Sequence, residues 1–263
     1  FRRLDGAHGW QLQRHHGLAF VRHRRVAQAV GMALLIMSTS TPACVMLVGA
    51  TGLVGQQALR QLLVRTDVAE VRALVRRDMT PAQLLGDQAA SVPGAGKLRI
   101  CKADFNRLEA HVHWFDVDWV FCALGTTIGQ AGSQAAFRQV DFDYALQVAQ
   151  LAKAEGARRF LLVSALVSNS RSIVFYSRVK GELEDAVRAI GFEHVSVAQP
   201  SFLAGDRVEV RLGERIALKL GFLMPARYKP VRAEQVAAGL IASGATGKPG
   251  WHVLDNIGLR RML

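Results

Sequence analysis

Three glycines spaced three residues apart, Gly49, Gly52 and Gly55, separate an apolar run, Val45 to Val48, from a stretch with helical leucine spacing at Leu53, Leu59, Leu62 and Leu63. A strand that enters such a turn and leaves it as a helix is the setting in which glycine turns bind dinucleotides. Gly49 permits the tight turn, Gly52 lets backbone approach a pyrophosphate, and Gly55 allows the helix to pack closely on the strand. Thr51, Leu53 and Val54 complete the turn and the first helical residues, whose unpaired N–H groups and partial positive charge suit phosphates. A chain built on this unit is expected to be α/β, with a doubly wound parallel sheet of the Rossmann type.

The remainder of the sequence agrees. Short apolar runs at 45–48, 71–75, 98–102, 119–123, 159–163 and 194–198 alternate with helical patterns at 52–65, 137–155 and 177–190, the signature of successive βαβ units. Half of the 263 residues are hydrophobic and only 7% aromatic, which suits aliphatic strands between helices. The length fits one domain, 43–263, with a small substrate lobe from about residue 200 that includes helices at 211–223 and 233–243.

A net charge of +12 raises the question of an anionic partner. Residues 1–36 hold six arginines against the single acid Asp5, a net +5, so the remaining chain carries only +7. No nucleic-acid recognition motif accompanies this charge, and nucleic acid is not expected as a partner. The apolar run at 26–36 is too short to span a bilayer. The segment 1–42 reads as a basic extension outside the fold, with Met37 as the expected functional start; an organelle-targeting segment and a basic arm are the competing readings. Cys44, Cys101 and Cys122 are odd in number, lack paired spacing and lie in or beside strands, so small packed hydrophobes in a reducing compartment are expected, with neither disulfide nor metal. From this a cytoplasmic location is expected.

The end of the second strand bears on the cofactor, because an acid there bonds ribose hydroxyls whereas an arginine pairs with a 2′-phosphate. Arg76, 21 residues beyond Gly55, stands at that place and favours NADP over NAD, although Asp78 lies close by. After the third strand, Asp104 and Phe105 stand where adenine could be read; Asp104 could equally serve as a cap or turn residue. After the fourth strand, Leu124, Gly125 and Thr126 offer a small-residue path beside the cofactor. Tyr176 and Lys180 are four residues apart on one helical face, where an ammonium favours phenolate and suits the tyrosine to proton transfer. Ser164, at the end of the fifth strand and 12 residues before Tyr176, could orient a substrate carbonyl.

Together the glycine turn, the Leu-Gly-Thr-Thr segment at 124–127, the terminal-strand serine and the Tyr-x-x-x-Lys pair resemble the short-chain dehydrogenase/reductase superfamily. The segments 140–144, 177–182 and 199–207 resemble its atypical, NmrA- and epimerase-like branch, and the likeness covers about 43–255. The resemblance implies NADP(H) binding, Tyr176 and Lys180 as the catalytic pair with a second role in holding cofactor, and a loop after Pro200 near the nicotinamide. The sequence departs from the pattern at Asp141, near where many relatives use asparagine, and at Ala165, which follows Ser164 in place of a serine cluster. Two functions are expected to compete: an NADP-dependent reductase of a small carbonyl-type substrate, and an NADP(H)-binding regulator whose partner is another protein or a second copy of the chain.

Overall fold

The computed structural model describes residues 41–87, 89–204 and 225–262. Seven strands form one parallel sheet in the order β3-β2-β1-β4-β5-β6-β9. These are β1 (Ala43–Val48), β2 (Val68–Val75), β3 (Leu98–Lys102), β4 (Trp119–Cys122), β5 (Arg159–Val163), β6 (His194–Gln199) and β9 (Gly250–Asp255); β7 (Leu203–Ala204) and β8 (Val231–Arg232) pair separately. The principal helices are α1 (Leu53–Leu63), α2 (Gln134–Arg138), α3 (Tyr144–Ala154), α4 (Phe175–Ile190), α5 (Ala233–Thr246) and the short α6 (Asn256–Leu259).

Alternation along β1 builds both layers. Val45 and Leu47 face a core with Leu59 and Leu62 of α1 and Val236 and Leu240 of α5, while Met46 and Val48 face one with Val148 and Ala152 of α3 and Leu183 and Val187 of α4. A sheet covered on both faces explains why the strands read as continuous apolar runs. Its order reverses between β1 and β4, the switch point outside whose carboxyl ends open α/β sheets bind ligands.

The expected strands are present, several extended by one to three residues. The helix expected at 137–155 is divided: α2 passes through a π-helical turn, Gln139–Asp143, into α3. A one-residue wide turn leaves no mark on an apolar periodicity, yet such turns concentrate at functional sites. The seventh strand, β9, was not expected; as a half-exposed edge strand it lacks a continuous apolar run. Thus α5 and β9 return to the main sheet, and only β7 and β8 lie apart from it among the described residues. The segment 1–40 and the helix expected at 211–223 lie outside the described residues.

All three cysteines are free thiols. Burial pushes Cys44 and Cys122 up to about 11 and raises Cys101 as well, the behaviour of packed thiols rather than nucleophiles.

At the amino end of β6, His194 is almost wholly buried; its Nδ1–H donates to the Lys248 carbonyl at 2.6 Å and its Nε2 accepts from Ser196 Oγ at 2.7 Å. Burial chiefly, with His252 and Arg159 nearby, lowers its pKa from 6.5. Unfolded chains therefore take up this proton first as pH falls. Stability is expected to decline as pH drops below about 6.5, and His194→Gln to flatten that decline in urea unfolding measured from pH 7.5 to 5; an unchanged slope would mean that His194 does not carry it.

Candidate functional site

Two of the three turn glycines are required by the fold. Gly49 has φ +85°, and a Cβ there would lie 2.4 Å from the Ala123 carbonyl oxygen at the end of β4. A Cβ on Gly55 would lie 2.0 Å from the Gly49 oxygen, so α1 rests its backbone on the turn itself. Gly52 is different. Its φ of −81° suits any residue, and a Cβ would meet only the Gly49 oxygen, at 3.4 Å. It is also the N-cap of α1 and carries no capping side chain, so the helix N-terminus opens towards the cleft.

A cavity of about 570 Å³ lies over this turn, bounded by Gly49, Thr51 and Gly52, by Arg76 and Arg77 at the end of β2, by Phe105, and by Leu124, Gly125 and Thr126 after β4. A second, of about 510 Å³, shares Arg76, Phe105 and Tyr144 and adds Lys102, Asp104 and His111. Asp104 also supports a turn, its Oδ1 accepting from the Asn106 backbone at 2.9 Å and amide at 3.1 Å. Asp78, which the sequence sets beside Arg76, pairs with Lys102 at 2.5 Å.

Ser164, Tyr176, Lys180 and Pro200 do not line these cavities; the link is Gly125, where an added Cβ would lie 3.8 Å from Lys180 Nζ. Lys180 is 4% exposed, and its Nζ lies 2.7 Å from Oδ1 of Asp141, itself wholly buried in the π turn. The other Asp141 oxygen accepts the Thr126 N–H at 2.9 Å, tying this pair to the cavity floor. Burial, the largest influence on Lys180, opposes its charge; Asp141 and Tyr176 together outweigh it and raise the lysine above its ordinary value. Tyr176 is half-buried, with its ring centroid 5.6 Å from that of Phe137. The Ser164 hydroxyl donates to Glu184 Oε1, which also takes Ser168 and the Gln199 amide as donors. The serine expected to face a substrate is thus held by a carboxylate. Pro200 is buried, and its carbonyl accepts the Leu166 N–H at 2.9 Å.

Sequence reasoning noted Asp141 only as a departure and passed over Glu184, Ser168 and Gln199. A signal was present: Tyr176, Lys180 and Glu184 repeat at i, i+4 and i+8 along α4. Gly181 was also missed; a Cβ there would lie 2.1 Å from Ser170 N, so α4 packs its backbone against that loop.

The NAD(P)H-binding family model matches residues 49–242, from the first turn glycine through most of α5. The chain belongs to this NAD(P)H-binding family. It is 33% identical over 175 residues to "Protein fmp52, mitochondrial" of Emericella nidulans, covering 66% of this chain and 72% of that one. It is 34% identical over 182 residues to "Protein HTATIP2" of Rattus norvegicus, covering 69% and 71%. Its fold resembles dTDP-glucose 4,6-dehydratase of Streptomyces venezuelae, solved with NAD and TYD bound, with a TM-score of 0.61 at 17% identity over 80% of this chain and 74% of that one.

The site fits the dinucleotide of the family. Gly52 leaves space open above the turn, and the uncapped start of α1 would offer N–H groups to the oxygens of a pyrophosphate placed there. Among the described residues no helix is long and apolar enough to cross a membrane, and no cluster of His, Cys, Asp and Glu could hold a metal. The expected cytoplasmic location is overturned by a relative that is named mitochondrial. Free thiols do not separate one reducing compartment from another.

Asp141 and Lys180 make a direct test of the buried pair. Removing one partner strands a charge, so Asp141→Ala is expected to cost about 3–5 kcal/mol in urea unfolding. The double variant with Lys180→Met should recover a large part of that loss; additive losses would show that the two are not coupled.

Proposed function

We propose that the chain is an NADP(H)-linked oxidoreductase of a small carbonyl-type substrate, working in the mitochondrial compartment that its Emericella nidulans relative is named for. The observation that carries the cofactor preference is the end of β2: Arg76 and Arg77 line the cavity over the glycine turn, and the nearby Asp78 is engaged by Lys102. Two guanidinium groups beside the adenosine ribose favour a 2′-phosphate over bare hydroxyls.

In this reading the turn residues 49–55 hold the pyrophosphate, Asp104 and Phe105 border the adenine, and Leu124, Gly125 and Thr126 run beside the nicotinamide half. The bound cofactor supplies hydride. Tyr176 gives its hydroxyl proton to the substrate oxygen as the carbonyl becomes an alcohol, and solvent returns that proton. Lys180, kept cationic by Asp141, steadies the phenolate that results. The Ser164 hydroxyl donates its hydrogen bond to Glu184, so it serves by accepting one through its oxygen lone pairs, from Tyr176 or from a substrate hydroxyl. The lobe from about residue 200 would cover the substrate end.

The same commitment of Ser164 to Glu184 and Lys180 to Asp141 favours a second reading, in which the chain binds NADP(H) and acts as a regulator with little turnover.

Titration of NADPH and NADH by nucleotide fluorescence into the chain from Met37 onward separates these. NADPH should bind more tightly, Arg76→Ala should remove that preference, and Tyr176→Phe should leave binding intact. Against a panel of carbonyl compounds, Tyr176→Phe should lose at least about 100-fold in turnover. Binding without turnover would favour the regulator, and failure of both nucleotides to bind would sink both readings.

A further inference from the structure

Lys102 closes β3 directly opposite Val75, the last residue of β2, and Ala103 N–H donates to the Val75 carbonyl at 2.9 Å. Arg76 follows Val75 directly, so Arg76 and Lys102 both leave the carboxyl ends of neighbouring strands about 5 Å apart. Both line the second cavity, which joins the first through Arg76. Lys102 is nevertheless engaged: its Nζ lies 2.5 Å from Asp78 Oδ2, in a pair whose side chains are 53% and 85% exposed.

We propose that Lys102 and Asp78 form an exchange pair at a phosphomonoester subsite, in which Lys102 leaves Asp78 to bind the 2′-phosphate of the adenosine half beside Arg76. This rests on the NADP(H) reading above and adds to it a second cation and a resident competitor. An exposed ion pair stabilises a protein little, so giving it up costs little. A phosphate carries about two negative charges and three acceptor oxygens against one charge on a carboxylate, and it outcompetes Asp78 for the ammonium. A ribose hydroxyl carries no charge and leaves the pair intact. Asp78 therefore stays on Lys102 when the 2′ position is bare and loses it when the position is phosphorylated, so the pair sharpens discrimination beyond what Arg76 gives alone. Asp104, the acid that lines the cavity, is drawn to the Asn106 turn, and His111 stacks on Trp114 at 4.2 Å.

The test measures calorimetric affinities of adenosine 2′,5′-bisphosphate and AMP, together with those of NADPH and NADH, for wild type, Lys102→Gln, Asp78→Asn and the double variant, with thermal unfolding to confirm that each is folded. Lys102→Gln should weaken the 2′-phosphorylated ligands by about tenfold and leave AMP and NADH unchanged. Lys102→Arg should retain most of the preference. Asp78→Asn should tighten the 2′-phosphorylated ligands several-fold, and that gain should largely vanish in the Lys102→Gln background. If Arg76→Ala removes the preference and Lys102→Gln does not, the exchange is overturned while the NADP(H) reading stands. A gain from Asp78→Asn that persists without Lys102 means that Asp78 repels the phosphate directly, which also overturns the exchange. A wild type that binds NADPH and NADH equally removes the NADP(H) reading and the subsite with it.

Discussion

The backbone of α1 touches the backbone of the turn before it, and no side chain at Gly55 could allow that approach: an added Cβ would lie 2.0 Å from the Gly49 oxygen. This contact fixes where the helix starts and aims its N-terminal N–H groups at the space above Gly52. Gly49 in turn rests against the Ala123 carbonyl, which couples the end of β1 to the end of β4 where the sheet order reverses. The cleft is therefore shaped by backbone packing at the switch point, and side chains at its rim decide what enters it. Gly52 stands apart because the fold makes no comparable demand on it.

Electrostatics organise the region behind the cavity floor. Lys180 and Asp141 are both removed from water, so neither charge is tolerable without the other, and the Thr126 N–H fixes the carboxylate to the cavity floor. One helical turn further along α4, Glu184 gathers Ser164 and Ser168 from the loop after β5 and Gln199 from the end of β6. A carboxylate thus anchors both Lys180 and Ser164. In the proposed readings, rigidity of this kind would serve proton transfer and cofactor retention alike, because both need the lysine and serine held in one geometry.

Sequence carried the sheet because each strand buried on both faces is a contiguous apolar run, and it carried the glycine turn because strand, spacing and helix fell in register. It did not carry β9, whose half-exposed edge position leaves Gly250–Asp255 without such a run. Nor did it carry the π turn: Asp141 was visible as a departure from the resembling family, but its partnership with Lys180 depends on a local widening of the helix that periodicity does not encode. Glu184 was legible in its spacing from Tyr176 and Lys180, but spacing alone does not set it apart, because acids on helices are usually solvated. The compartment was misjudged because reduced cysteines report redox state, which the cytoplasm shares with other compartments.

Whether the turn holds a dinucleotide is the central question, and Gly52 isolates it from folding. Calorimetric titration of NADPH and NADH into Gly52→Val, beside wild type, is the direct measurement. A Cβ at Gly52 meets only one oxygen at 3.4 Å, so the variant should keep a melting temperature close to wild type yet lose at least about tenfold in affinity for both nucleotides. Binding that survives in a folded Gly52→Val, or a wild type that binds neither nucleotide, would contradict dinucleotide binding at the turn.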